Sequence, residues 1–372
     1  MTTSLDDRAL NPFPWYRQMR QADPVHFNPS YNSWQVFRYE DVQKVLTDWT
    51  NFSSQFGGSD PISSSLISLD PPRHRQMRNL VTLAFTPRAV AQLADRIEVI
   101  LEELLAPLLP TGQLDVIGDL AYPLPVIVIA ELLGIPSQDR QKFKHWSDAL
   151  VGADSPVYDP QREMSHYFIQ MIEQRRREPR NDLISDLLQA EIDGQHLTPQ
   201  ELLGFCILLL VAGNETTTNL IGNAFLCFAE NPEVMDQLRK DPSLVPAALE
   251  EVLRYLSPVQ HMYRRTIKEV EIDGRILKAG QGVVAWIGSA NRDEAQFPDP
   301  DRFDLARNPK HLAFGHGIHF CLGAPLARLE AKIAVTRMLG NMRNIRRDTT
   351  VRLEAIGSNL VYGVKQLPIK FE

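Results

Sequence analysis

The residues best suited to chemistry cluster in one short segment, Phe314-Gly315-His316-Gly317-Ile318-His319-Phe320-Cys321-Leu322-Gly323. Three glycines within nine residues allow a tight loop whose backbone can approach a flat ligand closely. Cys321 stands near the end of that loop, and Gly323-Ala324-Pro325 and a helical pattern follow. The sulfur is therefore expected just before a helix N-terminus, where the dipole and free N–H groups favour a thiolate. Such N–H groups also tune the potential of a metal bound to the sulfur. The plain alternative is a buried structural cysteine in a glycine-rich turn. Cys206 and Cys227 fit that plain reading, because both fall in an apolar helical pattern. Zinc fits poorly, since the three cysteines are far apart and only His316 and His319 lie near Cys321.

Three further constellations stand out. Glu251 and Arg254 are three residues apart, share a helix face and can pair. Taken alone they read as a surface ion pair worth under about 1 kcal/mol. Ala212-Gly213-Asn214-Glu215-Thr216-Thr217 places a glycine, a carboxylate and β-branched residues in the middle of a long apolar helical pattern. These are poor interior helix formers, and local rules broken in mid-helix often mark a functional site. The alternative is a helix that surfaces there. His74 and Arg78 are four apart on a helix expected to begin near Pro72, and Arg264 precedes Arg265-Thr266 in a strand pattern. Arginine forks suit carboxylates, although a single Arg or His more plainly reads as surface solvation.

The ten residues from Phe314 to Gly323 resemble the haem-binding signature of the cytochrome P-450 family, Phe-Gly-x-Gly-x-His-x-Cys-x-Gly, at all six fixed positions. The resemblance extends over essentially the whole chain. It implies haem b, with Cys321 as the axial thiolate that favours O–O cleavage. It also implies His319 on a propionate, Phe314 packed near the haem and shielding the sulfur, and Gly323 and Ala212 in the cofactor site. His74, Arg78 and Arg264 become propionate anchors. Glu251-x-x-Arg254 becomes the family's buried ion pair, with Arg302 of Pro300-Asp301-Arg302-Phe303 as its third member. Sharing bidentate bonds makes such burial tolerable. Glu215 and Thr216 match an acid–alcohol pair on the haem's distal side, where a widened helix turn leaves room for dioxygen and water and the acid relays protons. Matching positions give a substrate pocket of Ile67, Leu69, Leu209, Ala212, Val259, Gln260 and Leu360.

The elements that must position these groups are mainly helical. Thr198 is a plausible N-cap, with Pro199 at the first helical position and Glu201 completing a capping box, for a helix running to Ala229. At ~1.5 Å per residue it extends on the order of 45 Å. Further helices are expected over Asp41–Leu46, Val90–Leu109, Met164–Arg177, Leu183–Glu191, Leu244–Leu256 and Arg328–Leu339, and from Arg73 onwards. Trp34–Tyr39, Glu269–Trp286 (turns at Asp273-Gly274 and Ala279-Gly280) and the stretch from Val351 read as strands. Phe52–Ser68, rich in Ser and Gly, reads as a long loop, a class that often serves as a lid or binding loop. The expected architecture is one domain over residues 1–372, mainly α with a minor β lobe in the cytochrome P-450 fold. The haem would lie between the long central helix and the cysteine loop with its late helix.

A net charge of −7 disfavours nucleic acid and membrane surfaces as partners. Three cysteines make no disulfide framework, the N-terminus lacks signal-peptide features, and no uninterrupted apolar run reaches about 18 residues, so the cytoplasm is expected. The resemblance implies a monomeric monooxygenase that hydroxylates or epoxidises a small to medium apolar substrate with O2. Its electrons would come from a separate ferredoxin or flavodoxin and an NAD(P)H reductase. Arg73, Arg75, Arg328 and Lys332 are the expected docking cations. The rival readings are a haem-thiolate peroxygenase using hydrogen peroxide and a haem-based ligand sensor.

Overall fold

Five short strands make the main sheet, in the order Val25–Asn28, Ser33–Val36, Gly282–Ala285, Met262–Thr266, Phe52–Ser53. The Ser33–Val36 and Gly282–Ala285 strands run parallel, and the other pairs are antiparallel. In the Met262–Thr266 strand Arg264 and Thr266 are buried while Tyr263 and Arg265 are exposed, the two-residue alternation of a sheet with one covered face. Helix Tyr39–Thr47 places Val42, Val45 and Leu46 on one face, and these join Val25, Val36, Val283 and Ala285 in a core that also holds Leu312. Leu312 lies two residues before Phe314, so this core fixes the chain's entry into the cysteine loop.

The chain is mainly helical with a minor β portion, and the computed structural model describes residues 5–55, 57, 58, 61–139, 142, 143, 146 and 160–372. It divides into two compact units. One comprises the residues up to Ser53, Leu101–Ala121 and Thr216–Glu372, and contains the sheet just described. The other comprises Ser54–Ile100 and Tyr122–Glu215. In the second unit Arg175 forms a buried ion pair with Asp182, and Asp182 also caps helix Leu183–Gln189 by accepting the Ser185 N–H at 2.9 Å.

The expected long helix spans Pro199–Glu230, 32 residues. Thr198 and Glu201 close the capping box reciprocally: the Thr198 N–H donates to Glu201 Oε2 at 2.8 Å, and the Glu201 N–H to Thr198 Oγ1 at 3.2 Å. Among the described residues this is the one helix apolar and long enough to cross a bilayer, yet 61% of its most apolar window is buried within the protein, as in a core helix.

Other expectations need adjustment. The pattern over 90–109 is two helices, Pro87–Ala91 and Ala94–Leu105. The break comes where the Leu93 N–H turns back to the Val90 carbonyl, a three-residue reach that interrupts the α register. The Asp273-Gly274 hairpin forms as read, but strand Gly282–Ala285 leaves it to join the main sheet. The expected loop over 52–68 begins as a sheet strand at Phe52–Ser53 and carries short 3₁₀ turns at Pro61–Ser64 and Leu66–Ser68; its Phe56, Ser59 and Asp60 lie outside the described residues. Near the C-terminus strand structure is confined to Arg346–Arg347, Pro368–Lys370 and single bridges.

Thr198→Ala removes one half of the capping box and is expected to cost ~1 kcal/mol, lowering the thermal midpoint by about 2 °C or less. Thr198→Ser should restore the wild-type midpoint; equal midpoints for Ala and wild type would show that the box contributes nothing.

Candidate active site

The cysteine loop is held by its own backbone. The Gly315 N–H donates to the Leu312 carbonyl at 2.8 Å, the Phe320 N–H to Gly317 at 3.1 Å, and the Cys321 N–H to Phe314 at 2.9 Å. Gly315 and Gly317 have φ of 72° and 70°, the left-handed region. Gly317 is constrained twice, because a Cβ there would sit 3.0 Å from the Thr47 Cα. Gly323 caps helix Ala324–Asn341, and a Cβ built on it would lie 3.9 Å from Cys321 Sγ. The sulfur thus sits at the N-terminus of an 18-residue helix, where N–H groups and dipole stabilise negative charge. Cys321 is unbridged and half-buried, whereas Cys206 and Cys227 are buried and burial raises both thiols above their ordinary range. This donor set suits a ring-carried iron that needs one protein sulfur. Among the described residues no group of three or more His, Cys, Asp or Glu could hold a metal by itself.

A charge network built on a fully buried pair connects to the loop entrance. Arg254 donates from Nε to Glu251 Oε2 at 2.8 Å and from Nη2 to Oε1 at 2.7 Å, with both residues 0% exposed. Arg254 also donates to the carbonyls of Asn291, Pro300 and Arg302. Asn291 in turn bonds Ser257 and accepts the Leu312 N–H at 2.8 Å, linking the pair to the loop entrance. The third member is not Arg302. Its side chain is 66% exposed and faces Asp304, and only its carbonyl serves the network. Arg307 takes the place: Nε donates to Glu251 Oε1 at 3.1 Å, and the guanidinium also serves the carbonyls of Pro298, Asp299 and Arg302. The turning of the chain between Pro298 and Arg307 brings the later arginine inward, and spacing along the sequence does not show that.

The long helix stays α-helical through 212–217, so the widened turn expected there is not present. Its irregular residues have packing reasons. A Cβ on Gly213 would lie 2.3 Å from Ile129 Cδ1, and Thr218 Oγ1 donates to the Ala121 carbonyl at 3.0 Å. Ala212 is exposed, Glu215 and Thr216 are half-buried, and Thr217 is only 3% exposed. Burial raises the Glu215 carboxyl from its ordinary value.

Of the expected anchors, Arg264 is 6% exposed and His74 2%. Burial, with Arg78 nearby, pushes His74 down to about 4. Ile67, Leu69, Leu209, Val259 and Leu360 retain accessible apolar surface. Gln260 does not belong with them. It is buried, accepts from Tyr16 Oη at 2.7 Å and donates to the Ser257 carbonyl at 2.6 Å, so its amide is a structural tie. Of the expected docking cations, Arg73 is paired with Glu201 and Arg328 with Glu250, whereas Arg75 and Lys332 are exposed. Sequence reading missed Arg307, Asn291, His311 and Glu330. Glu330 is 1% exposed, and burial raises its carboxyl to about 8. Its position in the late helical pattern gave the only available signal. A half-open cavity of about 490 Å³ is lined by Phe13, Arg17, Leu226, Tyr255 and Arg292 among others, and contains none of the expected site residues.

The model of the family described as Cytochrome P450 matches residues 135–367. The chain is 44% identical to a putative cytochrome P450, YjiB, of Bacillus subtilis, over 97% of this chain and 94% of the relative. It is 41% identical to the cyclomarin C epoxidase CymV of Salinispora arenicola, over 96% and 95%. Among solved structures it is similar to CYP109E1 from Bacillus megaterium in complex with testosterone, with a TM-score of 0.93, 42% identity and 99% of each chain covered.

Breaking the buried pair by Glu251→Ala or Arg254→Ala should destabilise the protein by ~3–5 kcal/mol, because the surviving charge is left uncompensated. Arg307→Ala should cost about 1–3 kcal/mol, and Arg302→Ala about 0.5 kcal/mol or less. Denaturation midpoints of the four variants check the order; a larger loss at Arg302 than at Arg307 would restore the sequence-based assignment.

Proposed function

The chain belongs to the cytochrome P450 family and is a haem b monooxygenase, and from that premise we propose that Cys321 is the iron's thiolate ligand and that Glu215 and Thr216 deliver protons while an apolar substrate is oxidised. The observation that carries the ligand assignment is the unbridged, half-buried Cys321 sulfur at the N-terminus of helix Ala324–Asn341, on a loop closed by its own backbone bonds. The bound haem supplies oxygen activation and oxygen-atom transfer. One substrate oxygen comes from O2, the other atom leaves as water, and NAD(P)H is the two-electron source. A separate ferredoxin or flavodoxin with its reductase passes the electrons singly. The acidic total charge agrees with a protein that binds neither nucleic acid nor membrane surface, and we propose a cytoplasmic monomer.

The chain's own groups have separable roles. The helix N–H groups hold negative charge on Sγ. Phe314 would pack near the cofactor and shield the sulfur, His319 would hold a propionate, and Gly323 and Ala212 would line the cofactor site. Arg264, His74 and Arg78 neutralise its propionates; a carboxylate near His74 would raise that imidazole from its low value. Glu215, its carboxyl raised by burial, passes a proton, and the Thr216 hydroxyl donates it onward. The reaction on substrate is hydroxylation or epoxidation, and CymV, an epoxidase, supports that range. The accessible apolar surface of Ile67, Leu69, Leu209, Val259 and Leu360, together with the testosterone complex of the similar chain, supports an apolar substrate up to steroid size.

Cys321→Ser is expected to abolish the thiolate-type absorption of the reduced carbon monoxide complex, whereas Cys206→Ala and Cys227→Ala should keep it; an unchanged spectrum in the serine variant removes Cys321 as ligand. Thr216→Ala should keep substrate binding and NAD(P)H consumption while diverting more of the reducing equivalents to hydrogen peroxide. Glu215→Gln should instead slow total oxygen turnover. Thr217, buried and about 100° round the helix, is the control. Product and peroxide per NAD(P)H would reassign the alcohol if Thr217→Ala uncouples and Thr216→Ala does not.

A further inference from the structure

Both ends of the cysteine loop converge on one carboxylate that none of the roles above uses. Glu250, on helix Val245–Tyr255, accepts Arg328 Nε at 2.7 Å and Nη2 at 2.8 Å, a bidentate fork. It also contacts His311 Nε2 at 3.1 Å. The Ala313 N–H points at His311 Nδ1, 3.2 Å away, so Nδ1 must be the acceptor and Nε2 must carry the proton that faces Glu250. The His311 side chain is 4% exposed, which locks that tautomer in place. On its other side the Arg328 guanidinium lies 4.4 Å from the centroid of the Phe314 ring, in cation–π range. Phe314 opens the signature loop, and its carbonyl accepts the Cys321 N–H. Arg328 stands on the helix that begins three residues after Cys321. Burial works against the Glu250 charge, but Arg328 and His311 hold its carboxyl down to about 2.

We propose that Glu250, Arg328 and His311 are positioning residues that brace Phe314 and the cysteine loop, and so set how firmly the Cys321 thiolate is retained on iron. The proposal rests on Cys321 being the ligand. His311 ties the chain entering the loop to Glu250, and Arg328 ties the helix leaving it to the same carboxylate. Phe314 is held in its ring by Arg328 and in its backbone by Cys321. With its N–H edge on Glu250 and one face on Phe314, Arg328 is committed to the loop rather than free as a docking cation.

The brace can be separated from a simple field effect by charge sign. Arg328→Gln removes a positive charge and Glu250→Gln a negative one, so their haem reduction potentials should move in opposite directions. A brace predicts that both variants nonetheless lose the thiolate-type carbon monoxide band faster than wild type on mild warming, by roughly threefold to tenfold. Arg328→Lys keeps the charge but loses the fork and the planar stack, and should be as labile as Arg328→Gln. Lability that rises in one Gln variant and falls in the other, or a Lys variant that behaves as wild type, would leave only the field and overturn the brace. A wild type without any thiolate band would overturn the ligand assignment and this proposal together. Bands as long-lived as wild type in all three variants would overturn the brace alone.

Discussion

The buried Glu251–Arg254 pair is the constraint on which the cysteine side of the molecule depends. Two full charges at 0% exposure are tolerable only because nearly every donor and acceptor is used: two bonds between them, a second cation from Arg307, the Asp304 N–H, and three backbone carbonyls. Those carbonyls belong to residues 291, 300 and 302, so satisfying the arginine dictates the path of the chain there. Asn291 then passes the constraint to Leu312 and the loop entrance.

The loop is consequently held at three levels. The sheet core takes in Leu312, the backbone closes Phe314 onto Cys321, and Gly317 lies against the end of helix Tyr39–Thr47 where a side chain would not fit. A sulfur fixed in this way at a helix N-terminus is preorganised to carry negative charge. Glu250 and Glu251, neighbours on one helix, divide the work: Glu251 faces the buried network and Glu250 faces Arg328 and His311.

In the long helix the irregular residues have packing roles. Gly213 admits Ile129, and Thr218 and Asn214 turn inward. Ala212, Glu215 and Thr216 keep accessible surface. Burial raises the Glu215 carboxyl from its ordinary value.

What the sequence determined by itself was local. Six fixed positions in ten residues specify the loop, Thr198 and Glu201 specify where the long helix starts, and the alternation around Arg264 separates the buried arginine from the exposed Arg265. Each follows from spacing along a few residues, where backbone geometry leaves little choice. Tertiary structure decided which distant side chain reaches a given partner. Arg307 rather than Arg302 completes the buried network, Gln260 ties Tyr16 to Ser257 instead of facing a substrate, and Arg73 and Arg328 turn to carboxylates of their own. Long side chains on irregular segments have many available directions. The one adopted is set by the burial cost of leaving a charge or an amide unpaired, and that cost exists only once the chain has closed around it.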